Sequence, residues 1–150
     1  MNSGQPGRLM GIDLGARRIG VALTDPTRTI ASPLTTLTRR IGKRPPWQDL
    51  ERLVHEHEVT GFVVGLPLAL AGEETAWTLE VREFGEQLAR RSELPVHFTD
   101  ERMTSIEAEG TIRVLGLPKS KREEKSRIDS TAAALILRNY LQHLHEDGNR

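Results

Sequence analysis

Gly11-Ile12-Asp13-Leu14-Gly15-Ala16-Arg17-Arg18-Ile19-Gly20-Val21-Ala22-Leu23-Thr24-Asp25 carries two short runs rich in apolar and β-branched residues, Leu9–Leu14 and Ile19–Thr24. The gap between them, Gly15 to Arg18, is short enough for a β-hairpin, and Asp25-Pro26 stops the second run. Pro33–Thr38, rich in Thr, extends the hairpin as a third strand at the sheet edge. Arg39-Arg40 and Lys43-Arg44-Pro45-Pro46 then form a basic loop broken by proline. Downstream the period changes. Trp47, Leu50, Val54 and His57 recur at helical spacing and predict a helix over Trp47–Glu58. Val59–Leu66 is apolar on both alternating faces, the pattern of a central strand covered on both sides. Trp77, Val81, Phe84 and Leu88 form a second helical stripe, and Pro95–Glu101 reads as another short strand. Thr104-Ser105-Ile106-Glu107 has the form of a capping box opening a helix that Gly116 and Pro118 end. A last helix is predicted over Arg127–Leu144. An antiparallel hairpin followed by strand–helix–strand units predicts a mixed five-stranded α/β sheet with helices on both faces.

The chain has 150 residues, enough for one domain with a real core. The expected organisation is a disordered tail over 1–8, one domain over 9–145 and a flexible end over 146–150. Lys plus Arg and Asp plus Glu are 21 each, so the formal charge is zero. That balance excludes the global positive field of a tight, non-specific nucleic-acid binder, and any such surface has to be local. The absence of cysteine excludes disulfides, thiolate metal sites and a cysteine nucleophile. No run approaches the roughly 20 apolar residues that cross a bilayer, and Met1–Arg8 lacks a signal-peptide core. The expectation is a cytoplasmic chain with no membrane partner.

Three carboxylates stand at positions where chemistry can be built. Asp13 shares a strand face with Leu9 and Gly11, while Met10, Ile12 and Leu14 point the other way. Neither face is polar throughout, so the carboxylate is expected to be partly buried and to need a cation, a donor or a proton. The alternative is a structural acid bonded to hairpin amides or paired with Arg17 or Arg18. Glu101 closes the strand in Thr99-Asp100-Glu101-Arg102, and its alternative is a solvated strand end paired with Arg102. Asp129 precedes Ala133, Ile136 and Tyr140 at helical spacing, on the packing stripe of the last helix. Its alternative is a cap, because Ser126-Arg127-Ile128-Asp129 fits a capping box in the first helical turn. Together the three acids are expected at one edge of the sheet, with no basic side chain between them. Carboxylate oxygens suit hard divalent cations such as Mg²⁺, which keep several waters and need few protein ligands. Two such ions can activate water and stabilise a leaving oxygen in phosphodiester cleavage.

The blocks GIDLGARRIGVALTD from Gly11, VVGLPL from Val63, TDERMTS from Thr99 and IDSTAAALIL from Ile128 resemble the YqgF family of Holliday junction resolvases, also called RuvX. The blocks follow the family's order and span residues 11 to 137. The resemblance implies a ribonuclease-H-like fold, a nuclease using Mg²⁺ or Mn²⁺, and acidic positions at Asp13, Glu101 and Asp129, as catalytic residues and metal ligands alike. It implies either trimming of the small-subunit ribosomal RNA precursor or resolution of four-way DNA junctions. Compared with the more distantly similar RuvC resolvases a fourth acid is missing, for Ala132 stands where they place an Asp. The turn Leu68 to Gly72 lacks the polar residues that many relatives carry there.

Leu117–Arg127 holds five basic residues against two acidic ones and directly precedes Asp129. Lys119, Lys121, Arg122 and Lys125, with Arg17 and Arg18, are the candidate nucleic-acid contacts; Arg39, Arg40, Lys43 and Arg44 extend them. Such contacts read phosphates and are salt-dependent and blind to sequence. Trp47, Trp77 and Phe84 lie on helical stripes and are expected in the core rather than in a base-stacking platform. RNA is favoured over a four-way junction, because the chain offers no apolar dimer surface and a monomer or weak homodimer is expected. Two other classes remain open: a phosphotransfer domain of the actin-like type, for which one lobe is too little, and a non-catalytic RNA- or protein-binding module.

Overall fold

The computed structural model describes residues 5–40, 44–101 and 121–148. Five strands, β1 (Arg8–Leu14), β2 (Arg18–Thr24), β3 (Ala31–Thr38), β4 (Val59–Leu66) and β5 (Val96–Asp100), form one sheet in the order β3-β2-β1-β4-β5. β1, β2 and β3 pair antiparallel, whereas β4 runs parallel to β1 and β5 parallel to β4. Helices α1 (Trp47–Glu56), α2 (Ala76–Ser92) and α3 (Lys121–Gly148) complete the described elements. An antiparallel hairpin sheet extended by parallel crossover units is the mixed five-stranded α/β arrangement that the order of hydrophobic periods predicts, and it agrees with the fold that the family resemblance implies.

The two faces of β1 separate two cores. Met10, Ile12 and Leu14 point with Ile19, Val21, Phe62 and Val64 into the layer covered by α1 and α2. Trp47 stacks on Phe84 there, with ring centroids 5.2 Å apart, so both aromatics are core and not a platform for bases. Leu9, Ala22 and Val63 face α3, against Ala133, Ala134, Ile136 and Leu137. β3 is an edge strand, and the Thr-rich sequence that marks it is mostly half-exposed.

One boundary differs in a way that matters. α3 begins at Lys121, not near Arg127. Lys-Arg-Glu-Glu-Lys-Ser-Arg is a run dominated by good helix formers, and that propensity carries the helix back through the segment read as a basic loop. The helix predicted from Thr104 lies outside the described residues, as do residues 1–4 of the expected tail. Among the described residues no helix is long and apolar enough to cross a membrane.

Candidate active site

Period-two geometry puts Asp13 beside Leu9 and Gly11 on the face that α3 covers, near the end of β1. In the antiparallel ladder Asp13 pairs with Gly20. Gly20 is where α3 comes closest: a Cβ there would overlap the carbonyl oxygen of Asp129. The glycine therefore seats Asp129 directly over the strand next to Asp13. Glu101 follows β5, and its N–H donates to the Leu66 carbonyl at 3.2 Å, which holds the end of β5 to the end of β4. Its carboxyl leans across β4 at Gly65, where a Cβ would stand 2.5 Å from Oε2 and 2.5 Å from Ile136 Cδ1. Three acids from β1, β5 and α3 thus converge on one face at one edge of the sheet.

Their electrostatics are those of a crowded site. Burial pushes the Asp13 carboxyl up to about 6, with the negative charge of Asp129 adding to the rise and the hydrogen bond from Glu101 opposing it. Glu101 is pushed up to about 9, first by burial, then by the charge of Asp13 and by the hydrogen bond it donates to Asp13. Two carboxylates this close cannot both ionise cheaply, so at neutral pH they share one proton, held by Glu101.

Asp129 has a different partner. Arg18, the first residue of β2, places Nε 2.7 Å from Asp129 Oδ2. The expectation that no basic side chain stands among the acids is therefore not met. The capping alternative for Asp129 is also overturned, because Ser126 lies inside α3 and Asp129 sits in its third turn. The alternative pairing of an arginine with Asp13 goes to Asp129 instead, since Arg18 starts the strand over which Asp129 is seated.

The basic residues distribute unevenly. Arg17 is exposed on the turn between β1 and β2, and Arg40 and Arg44 are exposed beyond β3. Because β3 ends opposite Arg18 in the ladder, Arg17 and Arg40 lie close in sequence to the ends of β2 and β3 nearest the acids. Arg39 is structural: its Nη1 donates to the Gly15 carbonyl at 3.0 Å and its N–H to the Arg17 carbonyl at 2.7 Å. Lys119 lies outside the described residues. Lys121, Arg122 and Lys125 stand in the opening turns of α3 rather than in a loop. At the end of β4 the turn after Pro67 is closed by a bridge between Leu68 and Glu74, and Leu70 at its tip is 94% exposed.

The donor chemistry fits a hard divalent cation at Asp13 and Glu101. Both offer only oxygen, and a cation relieves the charge conflict that the shared proton now relieves. Among the described residues no group of three or more acidic, His or Cys side chains is spaced to hold a metal ion. Asp129, held by Arg18, is the member out of place. Ala132 is buried in the core, so no fourth carboxylate enters there. Sequence reading passed over Gly20 and Gly65, although an isolated glycine inside a strand pattern is a signal of close approach by another element.

The RuvX model, described as a Holliday junction resolvase, matches residues 7–143. A protein of Roseiflexus sp. named "Putative pre-16S rRNA nuclease" is 40% identical over 93% of this chain and 96% of its own length. A protein of the same name from Chloroflexus aggregans is 42% identical over 89% of this chain and 92% of its own length. A Thermus thermophilus RuvC solved with a Holliday junction substrate is 17% identical over 86% of this chain and 90% of that one, with a TM-score of 0.48. That last likeness is too remote to carry an argument. With one family model covering the hairpin, the sheet and the helix that seats Asp129, and whole-length relatives near 40% identity, the chain belongs to the RuvX family.

Proposed function

We propose that this chain is a metal-dependent nuclease that hydrolyses phosphodiester bonds in the 5′-end processing of pre-16S rRNA, through Asp13, Glu101 and Asp129. The observation that carries the reading is the convergence of Asp13 and Glu101 from non-adjacent strands onto one shared proton, with Asp129 seated on Gly20 beside them. Two half-buried carboxylates in contact cost free energy that packing alone does not offset, and such strained titratable pairs cluster at functional sites. The names of the whole-length relatives supply the substrate.

Asp13 and Glu101 would hold Mg²⁺ or Mn²⁺ after Glu101 gives up its proton, with Asp129 as a further oxygen donor. The ion supplies Lewis-acid polarisation for attack of water on the phosphodiester. The chain's residues bind and orient. Arg17 and Arg40 meet strand phosphates beside the acids, and Lys121, Arg122 and Lys125 of α3 are further candidates for such contacts. Gly20 and Gly65 let the elements that carry the acids approach one another closely.

The test compares a single-stranded RNA spanning the precursor's 5′ processing site with a synthetic four-way DNA junction, each with Mn²⁺. Cleavage of the RNA, reduced at least about a hundredfold in Asp13→Asn, is expected. Paired symmetric nicks in the junction with intact RNA would assign the site to four-way DNA. Cleavage equal in Asp13→Asn and wild type would remove the acids from the chemistry.

A further inference from the structure

We infer that Arg18 is a positioning residue whose guanidinium passes from Asp129 to a phosphate of the bound strand, so that nucleic acid itself completes the carboxylate site. The inference rests on the nuclease reading above. It starts from a mismatch: Asp13 and Glu101 are in contact, and Asp129 lies close enough for its charge to act on Asp13. Yet the three do not form a metal-holding group, and Arg18 Nε stands 2.7 Å from Asp129 Oδ2. While that ion pair persists, one acid faces a cation supplied by the protein. A positive guanidinium beside the acids also repels a divalent ion arriving there.

The pair is built to be exchanged. The Arg18 side chain is 37% exposed and that of Asp129 22%, so neither is locked in a dry interior. Arg18 uses Nε alone for Asp129, and its two Nη groups make no hydrogen bond among the described residues. Those planar N–H donors match two phosphate oxygens, which makes arginine the better partner for a phosphodiester than for a single carboxylate oxygen. Arg18 also begins β2 at the end of the exposed turn that carries Arg17, opposite Thr38 at the end of β3, two residues before the exposed Arg40. Transfer of the guanidinium to phosphate frees Asp129 for the ion, and by linkage the ion must then raise affinity for the strand by the same factor.

The experiment is a Mn²⁺ titration of the full chain, read by the electron paramagnetic resonance of free Mn²⁺, without RNA and with a single-stranded RNA shown by gel to be intact afterwards. For wild type, RNA is expected to tighten Mn²⁺ binding by at least about fivefold. For Arg18→Gln, checked as folded by circular dichroism, Mn²⁺ binding without RNA is expected to be tighter than in wild type. In that variant RNA should add less than about twofold. Arg18→Lys keeps the charge, and part of the coupling should survive. Asp129→Asn should abolish the coupling while RNA still binds. Equal Mn²⁺ affinity with and without RNA in wild type, both binding, would overturn the role of Arg18 and leave the nuclease reading standing. Mn²⁺ binding that is absent, or unaffected by Asp13→Asn, would overturn both.

Discussion

Glu101 and Asp13 hold a proton that an unfolded chain would release. Each has a folded value above its ordinary one, so the native state binds more protons than the unfolded state between about pH 4 and about pH 9. Their contribution to stability is complete below about pH 4 and is lost as pH rises through those folded values. Asp25 works in the opposite sense. The Ile30 N–H, then the Thr27 hydroxyl and the Thr29 N–H, hold it down to about 2, so its contribution is lost only as pH falls below about 4. The melting temperature of metal-free protein is therefore expected to fall steadily from about pH 5 to about pH 9. Glu101→Gln keeps a donor toward Asp13 and removes the titration. It should flatten that slope and stabilise the protein at pH 8 by about 1–3 kcal/mol while abolishing cleavage. A wild-type melting temperature that is level across this range would show that the carboxyls are not buried together.

At the scale of elements, periodicity made most of the fold legible because each strand and helix has one dominant face. β4 reads as a doubly covered strand because Phe62, Val63 and Val64 are apolar on both sides, and α2 reads as a helix because Val81, Phe84 and Leu88 repeat at its period. The start of α3 was not legible. Lys121 to Arg127 has no apolar stripe, so pattern reading made it a loop, whereas propensity alone makes it helix. That error moved Asp129 into a first turn and opened a capping alternative that its place in the third turn of α3 removes. The strand and helix positions of Asp13, Glu101 and Asp129 were legible from period, while their choice as a set came from their combination and from the family resemblance. The glycines that bring them together, and the arginine that holds one of them, follow only from how α3 lies on the sheet. That seating is testable: Gly20→Ala forces α3 away from β2 and is expected to cost about 1–3 kcal/mol and most of the cleavage activity. Gly61→Ala is the control, for its Cβ would meet Leu9 Cδ2 at 3.1 Å, Pro95 Cγ at 3.4 Å and the Pro95 carbonyl oxygen at 3.5 Å, none of them an acid of the site. Comparable loss of activity in both variants would show that packing at large, not the seat of Asp129, sets the rate.

The molecule as a whole carries no net charge, so its grip on a polyanion depends on where the charges lie. On the proposed function a nucleic-acid strand approaches the carboxylates at this end of the sheet, and the exposed Arg17 and Arg40 near the ends of β2 and β3 offset their charge. These arginines are not equivalent. Arg39 spends its side chain and backbone on Gly15 and Arg17, so its replacement loosens the turn that carries Arg17 and Arg18. Arg17 and Arg40 are exposed, so their replacement leaves the fold alone. Arg17→Gln with Arg40→Gln is expected to weaken RNA binding uniformly across sequences with no change in melting temperature. Each phosphate contact on a single strand contributes roughly 0.7 to the slope of log affinity against log salt, so the double variant should flatten that slope by about 1.4. Lys119→Gln, Lys121→Gln and Lys125→Gln, combined, probe the basic run that leads into α3 by the same measurement. If only the arginine variant changes the slope, the strand runs along the hairpin side, past Arg18, before it reaches the acids. If only the lysine variant does, it enters from α3, and Arg18 would then meet phosphate last instead of first.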